Sequence, residues 1–210
     1  YSSDNGHKTQ GMSMSLEFRQ LPPQTLSALI DASSAINATL DLEQVLNAIT
    51  RSASTVMQAE ASSVLLLDRR RNKLVFKAAI GERSESLIGE EFDADLGIAG
   101  KVLSTGQPAI VGDVRQEKAF FKGIDDKSHF VTRGMIAAPL IHQGETLGVV
   151  EVLNPINRDN FGEQDLHLLQ VFANLAATGT VNAQAHERLR LEYRGLRETL
   201  KGSRIVGQSN

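Results

Sequence analysis

The 210-residue chain contains no cysteine and no tryptophan, only two tyrosines and five prolines, and aromatic residues make up 5% of it. Without a thiol there is no disulfide, no thiolate nucleophile and no thiolate metal ligand, a composition compatible with the cytoplasm, where we expect the protein to reside. No apolar run approaches the roughly 20 residues of a membrane-spanning helix, and no secretory signal opens the sequence, so no membrane partner is expected. A strong charge of one sign is also lacking. The net charge is −3, and the densest basic run, Arg69-Arg70-Arg71, falls where a turn between strands is expected, so direct binding of nucleic acid is not expected. HExxH, phosphate-loop and Ser-His-Asp signatures are absent, and the five histidines are scattered. No catalytic residue and no metal site is therefore assigned, and the chain does not read as an enzyme.

Apolar residues make up 41% of the chain, enough for a real core. Residues 1–20 are polar and without a sustained period, and read as a mobile leader. Pro22-Pro23 opens a helical pattern with Leu26, Leu29, Ile30, Ser33 and Ile36 on one face, and a second helix follows the cap signal at Asp41. From Ser62 the period changes. SSVLLLD and KLVFKAAIG are short runs rich in apolar and β-branched residues, separated by the charged turn at Asp68 to Asn72, which predicts a hairpin. A short helix is expected over Gly97–Leu103, ending at Gly106, and a strand over Pro108–Val114. An aromatic and acidic loop, AFFKGIDDKSHFVTR, leads into strands over about 134–142 and 145–153. The order predicts an α+β fold with a central antiparallel sheet, helices packed on one face and a long projecting C-terminal helix.

That helix is expected from Glu163 almost to Lys201, roughly 57 Å at 1.5 Å per residue, too long to lie within so small a domain. Phe172, Leu175, Gly179, Asn182, His186, Leu189, Tyr193, Leu196 and Leu200 recur along it at spacings of three and four, the seam of a coiled coil. Phe172, Leu175, Leu189, Tyr193 and Leu196 are accordingly expected to hold a homodimer together. The domain is expected over 21–185, a coiled-coil signalling helix over 186–201, and a linker to a further domain over 202–210.

Four motifs in order, SSVLLLD, DLGIAGKVLSTGQP, FFKGIDDKSHFVTR and APLIHQGETLGVVEVLNP, resemble the GAF family of small-molecule-binding regulatory domains, over about residues 24–185. The resemblance implies a sensor whose lid, residues 120–133, covers a small molecule. It is nearest to the cyclic-nucleotide-binding subgroup, which makes cAMP and cGMP candidate ligands. The subgroup's signature is Asn-Lys, then Phe, then Asp, and the matching residues here are Asn154-Pro155, Phe161 and Asp165. In that subgroup the lysine pairs with the aspartate outside the pocket. Pro155 offers no charge, which would leave Asp165 free to act at a helix N-terminus. Carried over position by position, the pocket residues are Ser63, Ala79, Ile80, Ile98, Phe121, Asp125, Asp126, Ser128, Thr132 and Glu151. Ile80 stands where some members carry an acid that reads guanine, so guanine specificity is not implied. The absence of cysteine removes covalent bilin attachment and thiol-based methionine sulfoxide reduction from the family's options. The tail GSRIVGQSN resembles the opening of the AAA+ module of bacterial transcription activators, many of which carry an N-terminal GAF sensor. The alternative is an interaction module without a ligand, in which side chains fill the pocket and the helices only dimerise.

Overall fold

The computed structural model describes residues 22–206. The expected leader, and residues 207–210 of the expected linker, lie outside the described residues. Helix α1 (Pro23–Ala38) starts with Pro23 in the first turn, where its missing N–H costs nothing, and α2 (Leu42–Val56) is capped by Asp41, whose carboxylate accepts from the N–H groups of Glu43 and Gln44. Strands β1 (Ala59–Asp68) and β2 (Lys73–Ile80) form the expected hairpin, with Asp68 accepting from the Arg70 and Arg71 N–H groups in the turn. Then come β3 (Glu91–Asp93), α3 (Gly97–Thr105), β4 (Ala109–Val111), α4 (Gly123–Ser128), β5 (Met135–His142), β6 (Glu145–Pro155) and α5 (Glu163–Val206).

The six strands make one antiparallel sheet in the order β3-β2-β1-β6-β5-β4. Side chains alternate across it. Val64, Ala138, Val150 and Val152 point to a helical layer, where α1, α2 and α5 bury Leu46, Ile49, Leu169 and Phe172. Leu65, Ala137 and Val149 point to the other layer, with Ile98, Ala99 and Val102 of α3 and Phe92 of β3. This is the expected α+β architecture, with a long C-terminal helix.

Three details depart from expectation. The buried positions of α1 are Thr25, Ala32 and Ile36, while Leu26 and Ile30 are 50% and 57% exposed. An apolar period alone does not distinguish a face turned to the chain's own core from one left open. Strand β4 is shorter than the expected Pro108–Val114, because the backbone turns into a 3-10 turn at Val114–Gln116, with Asp113 accepting from the Arg115 N–H. On α5 the expected seam is out of phase with the packing. Phe172 is fully buried in the core of its own chain and so cannot serve a dimer, and Leu175 is half-buried against that core.

Gly179, placed on the expected seam, is a close-approach site within the chain's own core. A Cβ there would lie 2.6 Å from Cγ1 of Val45 and 3.5 Å from Cγ1 of Ile36, so glycine lets α1 and α2 pack onto α5. Val45 is buried and β-branched, with little room to move. Gly179→Val is therefore expected to destabilise the domain by ~1–3 kcal/mol despite removing a helix glycine, a loss measurable by urea unfolding.

Candidate functional site

Glu151 lies in the centre of β6, between Ser63 of β1 and Ala137 of β5, on the face shared with Val149 and Leu153. It is 9% exposed, and its hydrogen bond is a long one, 3.3 Å from the Ser63 hydroxyl donor. Burial pushes its carboxyl up to about 7; the Ser63 hydrogen bond pulls the other way by less, and the charge of Asp125 adds a smaller upward push.

Asp125 comes from the lid. Its Oδ2 accepts from the Thr132 N–H at 2.8 Å and its Oδ1 from the Thr132 hydroxyl at 2.7 Å, which folds residues 125–132 into a closed loop. Ser128 donates to the Ile124 carbonyl and accepts from the Phe130 N–H, and His129 takes the left-handed conformation at φ +57° that ends the short helix. At Gly123 a Cβ would meet the Phe121 ring at 2.5 Å, so the aromatic ring folds back over the start of α4 only because no side chain is there. Lys127 pairs with Glu90 on the far rim.

Between lid and sheet lie two cavities of about 60 Å³ each. Both are walled by Phe76, Ile124, Asp125, Glu151 and Leu153. The first adds Ser63, Ala79, Ile80, Ser128 and Phe130, and the second adds Phe92, Ile98, Phe120, Phe121 and Thr132. The sheet and lid thus bring together nine of the ten residues assigned to the pocket from the sequence. The tenth, Asp126, is exposed and faces Lys122 at 3.8 Å in solvent, because one residue along a helical turn points the side chain away from the sheet. Sequence inspection missed Phe76, Phe92 and Ile124. The rings of Phe76, Phe92 and Phe121 form a chain with centroids 6.1 and 5.8 Å apart. Strand β3 is only three residues long, too short to show an alternation, so Phe92 carries no signal of its own. A larger open groove of about 410 Å³ lies elsewhere, lined by Arg69, Asp95, Ser104 and Glu145 among others. No buried polar side chain lines it among the described residues, and the space under the lid, walled by the buried Glu151, is the better candidate site.

The sequence profile of the GAF domain matches residues 41–179. The chain belongs to the GAF domain family. Similar curated proteins include a Nif-specific regulatory protein of Azospirillum lipoferum, 28% identical over 156 residues that make up 71% of this chain and 24% of the relative. Another is a dual 3',5'-cyclic-AMP and -GMP phosphodiesterase of Drosophila melanogaster, 24% identical over 90% of this chain and 14% of its own length. This GAF domain thus spans about a quarter or less of the length of these relatives. Among solved structures, the GAF domain of a phosphoenolpyruvate-protein phosphotransferase from Coxiella burnetii shares the fold with a TM-score of 0.70 and 22% identity, covering 79% of this chain and 97% of that one.

The three motif residues of this GAF domain lie outside both cavities. Asn154, fully buried at φ +54°, accepts from the N–H groups of Arg133 (2.7 Å) and Gly134 (3.4 Å) and donates to Glu60 (2.9 Å) and the Val131 carbonyl (2.8 Å). It ties the end of the lid to β1 and β6. The Arg133 guanidinium, bonded to Glu60, holds that carboxyl below its usual range. Phe161 is buried in the helical layer.

Asp165 does act at the N-terminus of α5, where it accepts from the Gly162 N–H at 2.8 Å, but it is not free of a cationic partner, as the loss of the motif lysine at Pro155 had implied. Arg158 reaches both its oxygens at 2.8 and 2.9 Å, donates to the Met57 carbonyl at 2.8 Å and lies over the Phe161 ring at 5.3 Å. An arginine three residues later thus supplies the partner that proline cannot, and its longer fork also fastens the β6–α5 loop to the end of α2. Arg158→Ala is expected to cost ~1–2 kcal/mol, the pair being partly solvated, and so to lower Tm by about 2–8 °C in a thermal melt.

Proposed function

We propose that this GAF domain is the sensor of a signalling protein: a small molecule occupies the space beneath residues 120–133, the lid orders over it, and the state passes through β6 and α5 to an output domain. The observation that carries this reading is Glu151, a buried carboxylate kept on the wall of the space under the lid and held by one long hydrogen bond. Such a group costs stability, and a protein without a use for it would do better with an apolar residue. In this reading the chain is regulatory and not catalytic.

Transmission runs through the part of α5 beyond Ala183, its last buried side chain among the described residues. There Leu189, Tyr193 and Leu196, spaced by four and three, are 64%, 63% and 65% exposed. That stripe fits a second copy of the chain in a parallel coiled coil. The likeness to a Nif-specific regulatory protein, and the tail's resemblance to the opening of an AAA+ module, favour a transcription activator as the whole protein.

Hydrogen exchange of residues 120–133, followed with cyclic AMP, cyclic GMP and a metabolite library, tests the sensor. A ligand is expected to protect the lid amides and raise Tm. The second reading, a ligand-free dimerisation module, draws on Ile124, which lies in the wall of both small cavities and leaves little free space. It prevails if no compound protects the lid while Leu189→Asp with Leu196→Asp converts dimers to monomers in sedimentation.

A further inference from the structure

We propose that the space under the lid takes a compact organic cation, an ammonium or amidinium group carried on one small ring or a short apolar body. This deepens the sensor reading and rests on it.

Charge comes first. Glu151 and Asp125 wall both cavities, Glu82 stands at the exposed mouth of one, and among the described residues no lysine, arginine or histidine lines either. The two inner carboxylates are not equivalent. Asp125 has both oxygens bonded by Thr132, whereas Glu151 has its Oε2 bonded to Ser63 and its Oε1 without a hydrogen bond among the described residues. A cationic N–H donor reaches that accessible oxygen and supplies the counter-charge for two carboxylates on one wall. A phosphate or carboxylate placed there would add negative charge with no cation to meet it. A bare metal ion fits poorly, because the other polar side chains on the walls, apart from Glu82 at the mouth, are neutral serine and threonine hydroxyls, and no group of three or more acidic or histidine side chains that could hold a metal assembles among the described residues.

Shape comes second. Phe76, Phe92, Phe120 and Phe121 line the second cavity, and aromatic walls favour an organic cation over a hydrated one. A cavity of about 150 Å³ holds a benzene ring, so neither 60 Å³ space alone admits one. Withdrawal of Ile124, a residue of the short lid helix, would join the two into a space for a single ring with its charged group on Glu151.

Calorimetry and thermal shift on the protein at pH 8 test this with benzylamine, benzamidine and phenethylamine, each set against benzoate, phenylacetate and cyclic AMP. The cations are expected to bind and to protect residues 120–133, and the anions are not. Glu151→Gln is expected to weaken the cations at least tenfold, while Asp126→Asn, which removes an exposed charge of the same lid, leaves them unchanged. Affinity for benzylamine is expected to rise between pH 6 and 8, as Glu151 loses its proton and meets the ligand as a carboxylate; Asp125 and the Ser63 hydroxyl are the groups that act on it, and Glu82 lines the same cavity from its exposed side. If benzoate, phenylacetate or cyclic AMP binds under the lid as tightly as the cations, the charge inference falls and the sensor reading stands. Equal loss in Asp126→Asn and Glu151→Gln also overturns the inference. If no probe of either charge binds while another metabolite protects the lid, the cation assignment fails alone; if nothing protects the lid, both fail.

Discussion

Replacing Asn154 with leucine is expected to cost about 4 kcal/mol or more, and to lower Tm by about 8–16 °C, a larger loss than from Gly179→Val or Arg158→Ala. The residue is fully buried and makes four hydrogen bonds, two accepted from backbone N–H groups and two donated to a carboxylate and a carbonyl. A leucine would strand the Arg133 and Gly134 N–H groups and the Val131 carbonyl at ~1–3 kcal/mol each, less whatever water can reach. It would also be held at φ +54°, where asparagine is tolerated and a bulky side chain is strained by ~1–2 kcal/mol. Asn154→Gly separates the two causes, since it keeps the backbone conformation and removes only the side-chain bonds. Urea unfolding should place Asn154→Gly about midway between wild type and Asn154→Leu. A glycine variant within about 0.5 kcal/mol of wild type, the range of an ordinary surface change, would mean that the side chain bridges nothing of weight, and the tie between lid and sheet would go with it.

The same residue shows how much could be read in advance. The motif Asn154, Phe161, Asp165 was visible in the sequence, and so was the sheet–helix order, because hairpin turns and helix caps leave local marks. What the motif residues do was not visible. Asn154 works through Glu60 and Val131, 94 and 23 residues away in the chain, and Asp165 works through Arg158, which no fixed spacing connects to the family's lysine. Which lid residues line the cavities was largely legible by resemblance, yet Asp126 could not be told from Asp125 until the helical turn of α4 assigned each a direction. The apolar residues of α1 and α5 had the right period and an ambiguous phase. A helix covering a core and then projecting from it carries two stripes, and only the positions of Val45 and Ile36 against Gly179 decide which stripe is inward.

Replacing Glu151 with glutamine is expected to stabilise the domain at pH 8 by ~3 kcal/mol, an unusual gain for a change at a buried polar position. The ordinary carboxyl value is 4.5 and burial raises this one to about 7. Below pH 4.5 the group is protonated in both folded and unfolded chains and contributes nothing. Between 4.5 and 7 the unfolded chain has released the proton and the native state retains it, so each pH unit lowers stability by ~1.4 kcal/mol. Above 7 both states are ionised and the native state carries the full cost of a buried charge. Glutamine has the same shape and no charge, so the difference between variant and wild type should be near zero at about pH 4, grow through about pH 5 to 7, and level off by about pH 8. Urea unfolding across that range measures it. A variant less stable than wild type at every pH would make Glu151 a structural hydrogen-bonding residue. The expected curve would make it a group held in an unfavourable place, whose cost is recovered when a ligand under the lid meets its charge.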